Sequence, residues 1–120
     1  MQKERRLRRR EDFKRVLSSG RTRSDTYLVL KVSGGLGATS RYGIVTSKKV
    51  GGAVERNRVR RRLREVLRQL EIKPGADVVF IARPPAKEAP FTTLETSVRG
   101  LLKRSGLSDT ENEKTGPRSN

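Results

Sequence analysis

Residues 51–70 read "GGAVERNRVRRRLREVLRQL" and hold seven arginines in twenty positions. At about 100° per residue, Val59, Leu63, Val66, Leu67 and Leu70 fall within one arc of roughly 100°, the width of a core-facing stripe. Asn57, Arg61, Arg64 and Arg68 project opposite that stripe as an outer ridge, and Arg56, Arg58, Arg60 and Arg62 line its shoulders. The spacing predicts a helix over 55–70 with one apolar face and a cationic exterior. Seven arginines against Glu55 and Glu65 leave that helix five net positive charges. Ordinary solvated faces mix signs, because like charges at i, i+3 or i+4 destabilise a helix. Arg58–Arg62, Arg60–Arg64, Arg61–Arg64 and Arg64–Arg68 are all like pairs at such spacings. Guanidinium also binds phosphate bidentately and stacks on bases, which ammonium does not. The pattern is that of a nucleic-acid-binding face, and no helix of helix-turn-helix type precedes it, so RNA fits better than the DNA major groove.

The rest of the composition agrees. A chain of 120 residues has room for one small domain, and 32% hydrophobic with 4% aromatic residues makes its core an economical one. Lys and Arg number 29 against 13 acidic residues, a net charge of +16. Self-repulsion on that scale destabilises a compact state and is relieved beside a polyanion. The chain has no cysteine and no histidine, which excludes zinc fingers, thiolate nucleophiles, imidazole acid–base pairs and Ser-His-Asp triads. Its carboxylates are scattered along the sequence, which argues against a protein-only metal nuclease. No apolar run of membrane-spanning length and no secretory signal is present, so the expectation is a cytoplasmic protein without membrane association.

Working outward, "MQKERRLRRR" (1–10) reads as a basic arm with Leu7 as its one apolar contact. Phe13, Val16 and Leu17 at i, i+3 and i+4 predict a short helix over 11–19, with Gly20 past its end. "TYLVLKVS" (26–33) reads as a strand with Leu28, Leu30 and Val32 on one face and Tyr27, Val29, Lys31 and Ser33 on the other. "RYGIVTS" (41–47) is the next strand, and the two are expected to form an antiparallel hairpin. "ADVVFIA" (76–82), after Pro74-Gly75, reads as a buried central strand. Thr92 and Glu95 have capping-box spacing before a helical stripe of Leu94, Val98, Leu101 and Leu102 that runs to about Ser105. Residues 106–120 read as a disordered tail, which leaves 11–105 as the single domain. The order is α-β-β-(β)-α-β-α, an α+β fold with helices packed on a small mixed sheet.

"SKKVGGAVERNRVRRRLRE" (47–65) resembles the signature of the bacterial ribonuclease P protein family, an Arg-Asn-Arg core in a basic helix after a Lys-Lys-x-Gly segment. "RLRRREDFKRVLSSG" resembles the family's N-terminal segment, and "DVVFIARPPA" its last strand and exit loop. The resemblance implies a two-layer α/β sandwich whose basic helix makes a left-handed βαβ crossover. It implies a protein subunit that assists a catalytic RNA in removing the 5′ leader of precursor tRNA. The RNA holds the active site and its Mg²⁺, and no catalytic residue and no obligate protein partner are implied for the protein.

On the same grounds Arg56, Asn57 and Arg58 match the family motif, continued by Arg60, Arg61, Arg62, Arg64 and Arg68 toward the RNA subunit. Phe13, Leu17, Lys31, Lys48 and Lys49 are implied at the leader cleft. Phe13 reads equally as core or as a stacking surface for a base. Leu17 and Lys31 stand where family members often carry aromatics. That exchanges stacking, worth about 1–3 kcal/mol per base, for phosphate attraction at Lys31. A basic ribosomal-type or chaperone protein is the competing reading.

Overall fold

The computed structural model describes residues 5–18, 21–35 and 37–108. Three helices, α1 (Arg10–Leu17), α2 (Ala53–Arg68) and α3 (Phe91–Arg104), accompany four strands, β1 (Arg21–Ser24), β2 (Leu28–Gly34), β3 (Arg41–Val45) and β4 (Ala76–Ala82). A short 3-10 helix, Pro84–Glu88, links β4 to α3. The strand order in the sheet is β1-β2-β4-β3.

The expected hairpin of residues 26–33 with 41–47 does not form. β4 lies between them, antiparallel to β2 and parallel to β3. The cause is the continuous apolar run of β4, buried at every residue but Ile81, which needs a partner on each edge. The connector after β2 secures this insertion. The Gly35 N–H donates to Gly75 O at 2.9 Å, the Ser40 hydroxyl donates to Lys73 O, and the Ala76 N–H donates to Ser40 Oγ at 3.0 Å. β3 and β4 are therefore parallel neighbours joined through α2. β1, the fourth strand, is "RTRS", exposed at all four residues. It has no apolar periodicity and exists through its pairing with β2.

α2 and α3 pack on one face of the sheet. Leu28, Leu30 and Val32 of β2, with Val78 and Phe80 of β4, meet Val59, Leu63, Val66 and Leu67 of α2 and Leu94, Val98 and Leu101 of α3. Each side chain of this size contributes about 1.5–3 kcal/mol when fully buried. α1 lies on the opposite face, where Val16 and Leu7 pack with Val79. The α+β class stands, and α1 adds a partial third layer to the two-layer arrangement of α2 and α3 on the sheet.

The helix expected over 55–70 runs Ala53–Arg68, α1 and the strands β2 and β3 shift by one or two residues at their ends, and three further boundaries differ in their packing. The arm is partly structured, since Leu7 is buried and its N–H donates to Tyr42 O at 2.8 Å, with Arg6 bridging Tyr42 in parallel. Leu107 joins the core, and its carbonyl accepts from Lys73 N–H at 2.9 Å, so packed structure continues past residue 105. Residues 109–120 of the tail, and Gly20, lie outside the described residues. α3 starts at Phe91 with Pro90 as its N-cap, so Thr92 sits inside the first turn and no capping box forms. For α2 the Glu55 carboxylate accepts Gly52 N–H at 2.9 Å. Gly52 has no side chain to complete the reciprocal bond of a box.

Candidate nucleic-acid interface

The exterior of α2 follows the wheel. Val59, Leu63, Val66 and Leu67 are buried, and Leu70 is buried in the turn beyond the helix. Asn57, Arg61, Arg64 and Arg68 are exposed, while Arg56, Arg58, Arg60 and Arg62 are half-buried. The structure divides these arginines by employment. Arg62 donates to Ala89 O at 2.7 Å, which ties α2 to the segment before α3. Arg60 donates to Asn57 Oδ1 at 2.7 Å and to Thr46 Oγ1 at 2.6 Å. Arg68 pairs with Glu65 at 2.9 Å. Among the described residues, the side chains of Arg56, Arg61 and Arg64 form no ion pair. Arg58 has a buried Nε with no hydrogen-bond partner and lines a surface hollow with Lys87 and Glu88.

The second surface is the sheet face under α1. The register brings Lys31 beside Val79, Val79 beside Gly43, and Ile81 between Val29 and Val45. Phe13 and Leu17 pack half-buried against the same cluster, with Val45 and Ile81. The structure thus groups Phe13, Leu17 and Lys31. An ideal Cβ on Gly43 would lie 2.5 Å from Phe13 Cε1, so the ring rests directly on bare backbone. Phe13 therefore takes part in core packing while staying half-exposed at the cleft. Lys48 and Lys49 lie in the exposed turn between β3 and α2, a turn anchored by buried Val50.

An ion network that sequence reasoning missed fastens α1 over this face. Asp77 is fully buried on β4. Its Oδ2 accepts from Arg15 at 2.6 Å and from Arg41 at 2.8 Å, and its Oδ1 accepts from Arg41 Nε at 3.2 Å. Asp12 of α1 lies 3.4 Å from Arg15 and 3.5 Å from Arg41. Arg15 also donates to Ser33 Oγ at 3.1 Å and Gly34 O at 2.8 Å. Burial pushes the Asp77 carboxyl up, but the hydrogen bonds from Arg41 and Arg15 outweigh it and hold its pKa below the ordinary value of 3.8. Asp12 and Asp77, far apart in sequence, therefore meet around two guanidiniums. No group of three His, Cys, Asp or Glu side chains gathers among the described residues. The available signal was a lone aspartate at the head of an apolar strand, since a buried carboxylate requires partners.

No helix among the described residues is long and apolar enough to cross a membrane. Comparison with known proteins accords with the geometry. The ribonuclease P family model matches residues 1–106. The ribonuclease P protein component of Dehalococcoides mccartyi is 46% identical over 110 residues, which cover 92% of this chain and 92% of that protein. The one from Clostridioides difficile is 42% identical over 105 residues, 85% of this chain and 92% of that protein. Among solved structures, the RNase P protein from Thermotoga maritima superposes with a TM-score of 0.74 at 33% identity, covering 82% of this chain and 96% of that one. The Staphylococcus aureus RNase P protein does so with a TM-score of 0.77 at 27% identity, covering 88% and 98%. With its arginine-coated crossover helix and its helix-covered sheet face, the chain belongs to the ribonuclease P protein family.

Proposed function

We propose that the protein is the basic subunit of a ribonuclease P ribonucleoprotein, assisting an RNA catalyst in the 5′ maturation of precursor tRNA. The observation that carries the reading is the ridge of α2. Arg61 and Arg64 stand exposed on one line without a carboxylate partner among the described residues, on a helix whose other face is bound into the core. On this reading Arg56, Asn57, Arg58, Arg61 and Arg64 face the phosphates of the RNA subunit. Arg60, Arg62 and Arg68 hold the helix and its ridge in place as well as adding charge. The cleft of Phe13, Leu17 and Lys31, with Lys48 and Lys49 at the turn beyond β3, receives the single-stranded leader. The catalytic Mg²⁺ is held by the RNA, and the assembly works in the cytoplasm.

The protein's contribution is physical rather than catalytic. It neutralises phosphates where two RNAs approach, and it lengthens the surface on which the leader lies. Each phosphate contacted adds about −0.9 to the slope of log affinity against log salt for a duplex, and about −0.7 for a single strand. Reconstitution tests the reading: the protein is added to a bacterial ribonuclease P RNA at low Mg²⁺ with precursor tRNA as substrate. Leader removal at the mature 5′ end, dependent on both components, supports it. Cleavage by the protein alone would point to a protein nuclease, and RNA binding without stimulated cleavage to a chaperone.

A further inference from the structure

Between the arm, α1, the outer edge of β3 and α2 lies a hollow of about 250 Å³. Its cations come from separate parts of the chain, Arg6 and Arg8 from the arm and Arg64 from the α2 ridge. Its apolar lining comes from both sides of the β3 edge: Phe13, seated on Gly43 on the α1 face, and Ile44, which packs toward the core on the other face. None of the three arginines has a carboxylate partner among the described residues. Arg6, Arg64 and Arg68 all lie near enough to the buried Tyr42 to oppose the upward push that burial gives its hydroxyl. Guanidiniums drawn together without an internal anion repel one another, and the fold among the described residues does not offset that cost.

The strand edge adds a second element. Leu7 N–H donates to Tyr42 O, so Tyr42 turns its peptide groups outward, away from β4. Two residues on, the period of the strand turns Ile44 to the same edge. Among the described residues its peptide groups make no backbone hydrogen bond to the arm or to any other non-strand segment. One N–H donor and one C=O acceptor therefore face the hollow, which Phe13 and the three arginines also line. An edge of this kind is ordinarily covered or paired.

We propose that this hollow seats a single unpaired nucleotide of RNA, its base against Phe13 at the β3 edge and its phosphate held jointly by Arg8 and Arg64. Arg6 supplies further charge, and the Ile44 peptide groups meet the base edge. The inference rests on the RNA-binding reading above and deepens it: the arm and the α2 ridge act together at one phosphate, through which the RNA-subunit surface becomes continuous with the cleft. The nucleotide comes either from the RNA subunit or from the leader, and the chemistry is the same.

The test is a double-mutant cycle in the full-length protein, with Arg8→Gln, Arg64→Gln and both together, each checked for its fold by circular dichroism. Arg61→Gln, on the ridge outside the hollow, is the reference. Affinity is measured for a bacterial ribonuclease P RNA transcript, and separately, with the assembled enzyme, for precursor and mature tRNA. Each single change is expected to weaken binding about tenfold, the scale of one lost charge-assisted hydrogen-bond pair. The Arg8–Arg64 double should fall well short of hundredfold, because both side chains hold one group, whereas Arg8 with Arg61 should multiply. Loss with the RNA alone assigns the nucleotide to the subunit, and loss confined to precursor tRNA assigns it to the leader; both support the seat. Multiplying losses for Arg8 and Arg64, or no loss at Arg8 while Arg61→Gln weakens binding, overturn the seat and leave the RNA-binding reading standing. No loss at any of the three overturns both.

Discussion

Replacing Asp77 by Asn keeps the shape of the side chain and removes its charge. In the native protein the carboxylate is fully buried and accepts three guanidinium hydrogen bonds from Arg15 and Arg41. Removing one partner of a buried ion pair costs about 3–5 kcal/mol. Here Arg15 and Arg41 keep 30% and 25% of their side-chain surface exposed and regain water, so the lower end applies, about 3 kcal/mol. For a domain of this size that lowers Tm by about 12–24 °C. Urea unfolding with an unchanged m-value measures it, and hydrogen exchange should show α1 amides opening sooner than those of β4. The pH dependence supplies a second check. Asp77 titrates lower in the fold than its ordinary 3.8, so its contribution is complete above that value and is lost as pH falls through the depressed one. The gap between native and Asp77→Asn proteins should therefore close on acidification. A loss below about 1 kcal/mol, or a gap that persists in acid, would show that pairing with Asp77 does not hold α1 on the sheet.

Two further outcomes follow from the same geometry. Lys31→Ala should weaken precursor tRNA binding by the assembled enzyme roughly fivefold, about 1 kcal/mol, and leave mature tRNA unchanged; equal losses for both would take Lys31 off the leader path. Gly100 sits exposed within α3, and a Cβ there meets nothing within 4 Å. Gly100→Ala should raise stability by about 0.5–1 kcal/mol in thermal melts, and a decrease would mean that α3 is not regular at that turn.

The arginine helix was legible because its two faces obey a local rule. The 3.6-residue period alone assigns Leu63 inward and Arg61 outward, and no distant part of the chain alters that assignment. The faces of β2 were legible for the same reason, through a period of two. The cationic character of the partner surface followed from composition, which folding does not change.

Strand pairing was another matter. A hairpin between residues 26–33 and 41–47 satisfies every local signal, and it loses because β4, 30 or more residues further on, buries both its faces and both its edges only by coming between them. The "RTRS" strand carries no apolar pattern and is a consequence of β2 having a free edge. The network of Asp12, Arg15, Arg41 and Asp77, and the meeting of Arg6 and Arg8 with Arg64, join residues from separate elements. Charges announce themselves singly along a chain, but which of them become neighbours is settled by the sheet order and the docking of α1. Side-chain periodicity is short-range physics and can be read in one dimension; ion networks and hollows arise from long-range packing, where burial of the whole apolar surface selects one arrangement among several that are locally equivalent.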